Sequence, residues 1–101
     1  MKLLTNELLE KLPALYSQEE NPDPTVWAKF FDPSGSWTWF VLEFDPAEGR
    51  FFGLVKGFET ELGYFMLEEL EAIRGAFGLG IERDIYFKPC RLSDVQSGKV
   101  S

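Results

Sequence analysis

Histidine is absent from this 101-residue sequence, and cysteine occurs only once, at Cys90. Without histidine the chain lacks the commonest general base, the usual activator of a nucleophile and the commonest nitrogen ligand for a metal. A single cysteine excludes an internal disulfide and a cysteine-based zinc site. The glycines at 75, 78 and 80 follow a predicted helix, whereas a dinucleotide-binding fingerprint follows a strand. These absences argue against an enzyme, and we expect neither a metal nor a cofactor.

Long apolar runs and basic residues are also scarce. No run is long enough to cross a bilayer, and the N-terminus turns polar and acidic after two leucines, unlike a signal peptide. We therefore expect a cytoplasmic protein without a membrane partner. The chain has ten basic and 17 acidic residues, and its net charge is therefore −7. Nucleic acid is an unlikely partner for such a chain, because its affinity comes largely from Lys and Arg, and a basic protein surface suits it better.

Sixteen per cent of the residues are aromatic, and many of them fall in three β-prone runs at 26–31, 36–44 and 50–56. The linkers at 32–35 and 45–49 both begin Asp-Pro and end in Gly. Asp can accept from backbone N–H groups two residues on, Pro has the φ of the second turn position, and Gly can close the turn with a positive φ. This pattern predicts a three-stranded antiparallel meander.

One short helix is predicted before this meander in the sequence, and another is predicted after it. Residues 6–12 have Thr5 or Asn6 as a cap and Pro13 as a stop, and residues 67–74 place apolar side chains at helical spacing. Residues 64–66 and 85–87 are candidates for further short strands.

The element order predicts an α+β fold, in which an antiparallel meander of three to five strands carries two short helices on one face. We expect residues 1–92 to form a single α+β domain. Residues 93–101 are small and polar, and they are predicted to be a flexible C-terminal tail.

Strict alternation along the middle strand would give each sheet face a different set of side chains. Both sets contain large apolar groups, so the face that bears Trp37 and Trp39 is either core or an open patch of the kind that binds a partner. On this pattern one face carries Thr38, Phe40, Leu42 and Phe44, and the other carries Trp37, Trp39, Val41 and Glu43.

Two charged clusters leave alternatives open. Glu82, Arg83 and Asp84, with a remote carboxylate such as Glu61, could form an acid/base site or a structural ion-pair network. The second cluster lies at the start of the second predicted helix, where acids complement the helix dipole or could imitate nucleic-acid phosphates. It consists of Glu68, Glu69 and Glu71.

Several linked motifs resemble domain-of-unknown-function family 2958, small bacterial proteins often encoded among plasmid, conjugative-element and phage genes. The resemblance covers residues 2–92 and implies no catalytic residue or cofactor. It implies that any shared site includes residues 37–39, 61–65 and 81–84. The motifs are Lys2-Leu-Leu-Thr5, Leu12-Pro-x-Leu-Tyr-Ser-Gln-Glu19, Ala28-Lys-Phe-Phe31, Trp37-Thr-Trp39, Glu43-Phe-Asp45, Phe51-Phe-Gly-Leu-Val55, Glu61-Leu-Gly-Tyr-Phe65 and Ile81-Glu-Arg-Asp84.

Together these observations favour a non-enzymatic interaction or regulatory protein of a mobile genetic element, which binds a protein partner or itself. One alternative is an acidic nucleic-acid mimic that inhibits a restriction or other host-defence nuclease, and another is a small enzyme with a Glu/Arg/Asp site. The candidate partner-binding residues are Trp37, Trp39, Glu61, Tyr64, Glu82, Arg83 and Asp84.

Overall fold

The computed structural model describes residues 2–101 and has an α+β fold built on an antiparallel sheet. Its helices are α1 (Asn6–Lys11), α2 (Leu67–Ala72) and α3 (Leu92–Gln96), and a 3-10 turn lies at Ala76–Gly78. Its strands are β1 (Thr25–Val26), β2 (Ala28–Phe31), β3 (Thr38–Asp45), β4 (Arg50–Lys56), β5 (Thr60–Met66), β6 (Glu82–Arg83) and β7 (Cys90–Arg91).

The predicted meander is confirmed as the centre of a five-stranded sheet with the order β5-β4-β3-β2-β6. β5 is longer than the predicted strand at 64–66, and it pairs with β4 along all seven residues. The predicted strand at 85–87 is not formed, since the chain turns there and residues 82–83 pair with β2 instead. β1 and β7 form a separate two-stranded sheet.

The two Asp-Pro linkers form the predicted turns. The side-chain oxygen of Asp32 accepts from the Ser34 N–H at 2.9 Å, and that of Asp45 accepts from the Ala47 N–H at 3.0 Å. Gly49 has the expected positive φ of 67°. Gly35 does not have a positive φ. A Cβ there would lie 2.8 Å from a carboxylate oxygen of Asp32, so the Asp32 side chain would have to shift.

The helix face, as we name the sheet surface under α1 and α2, carries the larger core. Thr5 caps α1 as predicted, its hydroxyl accepting from the Leu8 N–H at 3.1 Å. Leu8 and Leu12 of the first helical segment and Leu70 of α2 pack against this core. Its fully or nearly buried members are Leu3, Leu4, Ala28, Phe30, Trp39, Val41, Phe44, Phe51, Phe65, Leu70 and Ile81.

A bulge in β3 breaks the predicted alternation. The register against β4 shifts between Val41 and Glu43, so that Glu43 lies opposite Phe52 and Phe44 lies opposite Phe51. Phe44 therefore joins Trp39 and Val41 in the helix-face core, and Glu43 turns to the opposite face. The prediction placed these two side chains the other way round, because an extra residue in one strand cannot be recognised from alternation alone.

The tryptophan face is the helix face. Trp39 is only 6% exposed and lies in the larger core, so it is not available as part of an open patch. Trp37 lies at the margin of that core, half-buried, with its ring 6.0 Å from the ring of Trp39. The sequence left this face as either core or an open patch. The structure places Trp39 in the core and Trp37 at the margin of the core.

The opposite face has its own core, formed by Val26, Phe40, Leu42, Leu54, Leu92 and Val95. α3 covers this second core. The prediction of a flexible tail at 93–101 is therefore corrected, because Val95 is fully buried. Asp23 helps to hold α3 in place, since its carboxylate accepts from the Ser93 N–H at 2.9 Å and from the Ser93 hydroxyl at 2.7 Å. These tertiary contacts could not be read from the local composition of the segment.

Candidate functional site

β5 has an open outer edge. Among residues 2–101 it pairs only with β4, which leaves seven residues of backbone on its other side without a strand partner. Natural sheets commonly protect such edges with proline, lysine, bulges or very short strands. The sequence of β5, Thr-Glu-Leu-Gly-Tyr-Phe-Met, has no proline or lysine, and its pairing with β4 is regular. The outer edge of β5 is therefore accessible for pairing with another chain.

Gly53 of β4 and Gly63 of β5 lie opposite each other, but their surroundings differ in whether they leave space for a side chain. A Cβ on Gly53 would lie 2.0 Å from the backbone oxygen of Phe40, so the close approach of β3 excludes any side chain. A Cβ on Gly63 would meet no atom within 4 Å, and its φ lies outside the left-handed region. The fold itself does not require glycine at 63. Glycine within a strand often marks the close approach of a ligand or another backbone.

A cavity of about 330 Å³ lies beside β5 on the opposite face of the sheet, where α3 leaves Leu62 and Tyr64 partly uncovered. We call it the tyrosine cavity, after Tyr16 and Tyr64. The residue after the β3 bulge, Glu43, forms part of its lining. Its lining residues are Tyr16, Gln18, Glu19, Asn21, Pro22, Pro24, Leu42, Glu43, Phe52, Leu62, Tyr64 and Leu92.

Glu43 is the buried charged residue of this region, at 5% exposure. Its two carboxylate oxygens accept from the backbone N–H groups of Tyr16, at 2.9 Å, and Gln18, at 2.8 Å. The Gln18 side chain in turn donates to the Leu42 backbone oxygen at 2.9 Å and accepts from the Thr25 N–H at 3.1 Å. These bonds hold the loop over the sheet and keep Tyr16 in a left-handed conformation with φ of 69°.

Tyr64 lies at the mouth of the tyrosine cavity, 53% exposed. The pKa of its hydroxyl is raised above its ordinary value, mainly by hydrogen bonding with the Tyr16 side chain and then by desolvation. The negative charge of Glu43 contributes in the same direction, whereas Arg50 opposes it. Tyr64 therefore stays neutral near pH 7, and the side chains of both tyrosines line the cavity.

A smaller hollow of about 260 Å³ lies near the start of β5 on the helix face. It is formed by Trp37, Val55, Phe58, Glu59 and Glu61, and we call it the tryptophan hollow. The Phe58 ring packs edge-on against Trp37 at 5.3 Å and is 95% exposed. Trp37 lies so close to Gly57 that a Cβ there would be 2.5 Å from the indole ring. The strand is thus flanked by one recess on each side of the sheet.

The predicted site residues are divided among four places. Trp37 and Glu61 lie together in the tryptophan hollow, while Tyr64 lies on the other face of the same strand. Trp39 is in the core. The remaining three, Glu82, Arg83 and Asp84, lie at or beside β6, at the far edge of the sheet from β5.

An acid/base site that combines Glu61 with the Glu82–Arg83 strand is not formed. Four strand spacings of about 4.8 Å, or roughly 19 Å, separate the two edges of the sheet. Arg83 instead donates to the backbone oxygens of Lys2 and Leu3, at 2.9 and 3.0 Å, and Asp84 lies 3.7 Å from the Lys29 ammonium. These contacts tie the N-terminal segment and β2 to the edge, as a structural network does.

The residues that sequence reasoning missed are Tyr16, Glu43 and Phe58. Leu62 and Gly63 lie in the segment 61–65 that the family resemblance assigned to any shared site, but they were not named individually. A signal existed for Glu43, because it is the single acid within an otherwise apolar stretch of β3. A buried charge in such a position requires hydrogen-bonding partners and calls for a reason. The others could be recognised only after the strand order placed β5 at an edge.

The described part of the chain contains no metal-binding cluster and no membrane-spanning helix. Within residues 2–101, no group of three or more His, Cys, Asp or Glu side chains is arranged to hold a metal ion. No helix in the same range has the length and apolar character needed to cross a membrane. Large exposed apolar side chains also occur at Phe77, Ile85 and Tyr86, but these lie on turns.

Comparison with known protein families gives a match over residues 3–95 to the family described as Protein of unknown function (DUF2958). Comparisons with curated proteins and with solved structures gave no match. The match includes both edges of the sheet, the tyrosine cavity and most of α3. The chain therefore belongs to the DUF2958 family of proteins of unknown function.

Proposed function

We propose that this protein is a non-enzymatic interaction module that takes up an extended segment of a protein partner as an additional strand at the outer edge of β5. The observation that carries the proposal is that this open seven-residue edge is flanked by a recess on each face of the sheet. In strand addition the backbone hydrogen bonds supply affinity, and pockets for alternate side chains supply specificity.

The geometry of a strand fits this arrangement. Successive side chains of an added strand point to opposite faces, so one row would meet the tyrosine cavity and the next would meet the tryptophan hollow. On the helix face, the missing side chain at Gly63 leaves room for a large partner side chain. On the opposite face, Leu62 and Tyr64 present partly exposed apolar surface that an added strand would cover.

Charge favours a different protein over a second copy of this chain. The net charge of −7 makes two copies repel each other, and Glu59 and Glu61 lie exposed at the start of the edge. A basic partner segment gains from the same charges, and its association is faster at low salt. Self-association through the same edge is the competing outcome of the experiment below.

The cellular setting is part of the proposal. The family resemblance supports a role among accessory proteins of mobile genetic elements, which often act by binding host or element proteins. A free, half-buried Cys90 without a disulfide partner is typical of a cytoplasmic protein. A partner in the cytoplasm would then be a host or mobile-element protein with an accessible extended segment.

The test uses a random decapeptide library displayed on phage, selected on the immobilised full chain. Selected peptides would be synthesised and bound to the protein, and amide hydrogen exchange would be measured residue by residue. Strand addition predicts new protection on β5, at Thr60–Met66, and none on β6 at the other edge. Protection confined to other surfaces would overturn the proposal.

A matched pair of variants locates the binding. Tyr64→Ser removes an exposed aromatic side chain at the β5 edge, and Phe77→Ser removes one that is fully exposed on the 3-10 turn and does not belong to β5. We expect at least a tenfold loss of peptide affinity for the first and none for the second. If β5 amides are protected without peptide, in proportion to protein concentration, the occupant is a second copy of this chain and the partner assignment is wrong.

A nucleic-acid mimic is the second candidate function, and one observation favours it. Glu68, Glu69 and Glu71 of α2 are exposed, and they take part in none of the ion pairs found among residues 2–101. Such a mimic would bind a basic nuclease groove with strong salt dependence. Binding to a restriction nuclease that is abolished by reversing these three charges, with β5 amides unprotected, would favour this function over strand addition.

A further inference from the structure

The tyrosine cavity combines a buried carboxylate with aromatic walls. Glu43 is 5% exposed and contributes to the lining, together with the rings of Tyr16, Phe52 and Tyr64. Glu19 supplies a second carboxylate to the same lining. Aromatic faces attract cations through their quadrupole, and a carboxylate attracts them by charge. The two carboxylates and the three aromatic rings of this cavity therefore form a set of groups that attracts cations.

The charge of Glu43 is hydrogen-bonded but not neutralised. Each of its oxygens accepts one backbone N–H group, and a carboxylate oxygen has a second lone pair. The ion pairs found among residues 2–101 join Lys29 to Asp84, Arg50 to Glu48 and Arg91 to Asp23, and Glu43 is in none of them. A negative charge inside a partly enclosed cavity acts more strongly than one in water.

Arg50 is the basic residue whose charge acts on Tyr64, and it already has partners at the rim. Its guanidinium lies 6.0 Å from the centroid of the Tyr64 ring and pairs with the Glu48 carboxylate at 3.1 Å. It acts on the outer part of Tyr64, and it is not among the residues that line the cavity. The interior of the tyrosine cavity thus keeps a net negative character.

We propose that the tyrosine cavity is a binding site for a cationic side chain, an arginine or a lysine, carried by the partner segment that adds to β5. This assignment rests on the proposed strand addition and names the chemistry that the same edge selects. The Arg or Lys stem would lie along Leu62 and Phe52, and its charged head would meet Glu43 and the two tyrosines. A cavity of about 330 Å³ has room for one such side chain.

The strand register leads to a specific pattern in the partner. Leu62 and Tyr64 are two residues apart on β5 and point to the same face, beside the cavity. An added strand places every second side chain on that face. Its neighbours along the chain point to the helix face, toward the tryptophan hollow and the space above Gly63. The preferred segment therefore has a basic residue flanked on either side by apolar or aromatic residues.

Other ligand classes fit less well. An acidic side chain would be repelled by Glu43 and Glu19. An apolar side chain would cover Glu43 without supplying a counter-charge, and this is unfavourable for a buried ion. A metal ion lacks ligands, because no group of three or more acidic, His or Cys side chains is arranged for one within residues 2–101.

The test varies the charge at the cavity mouth without touching the fold. Glu43→Ala is unsuitable alone, because it also removes the acceptor for the Tyr16 and Gln18 N–H groups. Leu62 is 46% exposed, so Leu62→Lys and Leu62→Glu form a matched pair of equal exposure and opposite charge. Circular dichroism and thermal unfolding would confirm that both variants keep the fold.

The selected decapeptides supply the probe. We expect Arg or Lys to be enriched at one position of the peptides that protect β5. Replacing that residue by citrulline or norleucine should lower the affinity of the peptide for the wild-type protein at least tenfold. Leu62→Lys and Leu62→Glu both lose the apolar contact of Leu62 with the peptide, so their difference reports the charge: Leu62→Lys should bind the basic peptide at least tenfold more weakly than Leu62→Glu does. In Leu62→Lys the peptide replacement should have little further effect, as a double-mutant cycle requires.

The outcomes separate the inference from the function on which it rests. Peptides that protect β5 amides without any preference for a basic residue overturn the cation site and leave strand addition intact. A basic preference that responds equally to Leu62→Lys and Leu62→Glu places the cation elsewhere, and also overturns the site. Selected peptides that never protect β5 overturn both.

Discussion

The two facing glycines of β4 and β5 offer a sharp test of the structure, because the same substitution should have opposite effects at each. Replacing Gly53 by Ala brings a Cβ to 2.0 Å from the Phe40 backbone oxygen, a distance well below any tolerated contact. The neighbour is backbone, so relief requires β3 and β4 to move apart next to the bulge. Overpacking of this kind in a core lowers the free energy of unfolding by about 3 kcal/mol or more.

At Gly63 the same methyl group enters open space. No atom lies within 4 Å of its Cβ position, and the backbone φ is one that alanine adopts. Alanine reduces the conformational freedom of the unfolded chain, which stabilises a protein by about 0.5–1 kcal/mol at a compatible position. For a chain of this size that corresponds to a rise in Tm of roughly 2–8 °C, against a fall of more than about 12 °C for Gly53→Ala.

Urea and thermal unfolding of the two variants, followed by circular dichroism, would measure both effects. Equal destabilisation by both alanines would mean that β5 does not pair with β4 in the register described, or that its helix-face side is covered. A Gly63→Val variant extends the test to function. It should keep the fold and yet weaken peptides that add to β5, because the branched side chain fills the space above Gly63 that a partner side chain would occupy.

Four further predictions concern the core, the loop, acid stability and the thiol. Trp39→Ala should lower the free energy of unfolding by about 3–5 kcal/mol, since this side chain is core; a urea midpoint equal to that of wild type would contradict the helix-face assignment. Glu43→Ala should remove about 3 kcal/mol and expose the amides of the loop to hydrogen exchange, because two charge-assisted bonds are lost; unchanged exchange at Tyr16 would contradict this. The hydroxyl and N–H of Ser93 lower the pKa of Asp23 in the folded protein below its ordinary 3.8. The stabilisation is therefore present above pH 3.8 and lost as the pH falls through the folded-state value, and Asp23→Asn should flatten the dependence of unfolding midpoint on pH in that range. Desolvation raises the pKa of the Cys90 thiol, and the charge of Asp94 adds to this, so a disulfide reagent at pH 8 should modify the native protein more slowly than the urea-unfolded chain.

Local chemistry was enough to predict the meander, its two turns and the first helix. Asp32 and Asp45 accept from N–H groups two residues away, and Thr5 accepts from one three residues away, so each of these interactions lies within the segment that it shapes. The aromatic and β-branched runs indicated a sheet with two apolar faces, and the lack of histidine and the single cysteine narrowed the chemistry available. The motifs along the chain indicated the family.

Only the tertiary structure decided which side chains face each other and which edge stays open. The bulge in β3 turns Glu43 to the face where its partners Tyr16 and Gln18 lie, 25 or more residues away. The docking of α3 buries Val95 in a segment whose composition predicted a tail. Strand order places Tyr64 and Gly63 at an open edge and Glu82 at the opposite one. Local propensity carries no information on such long-range pairings, because they depend on how the whole chain packs.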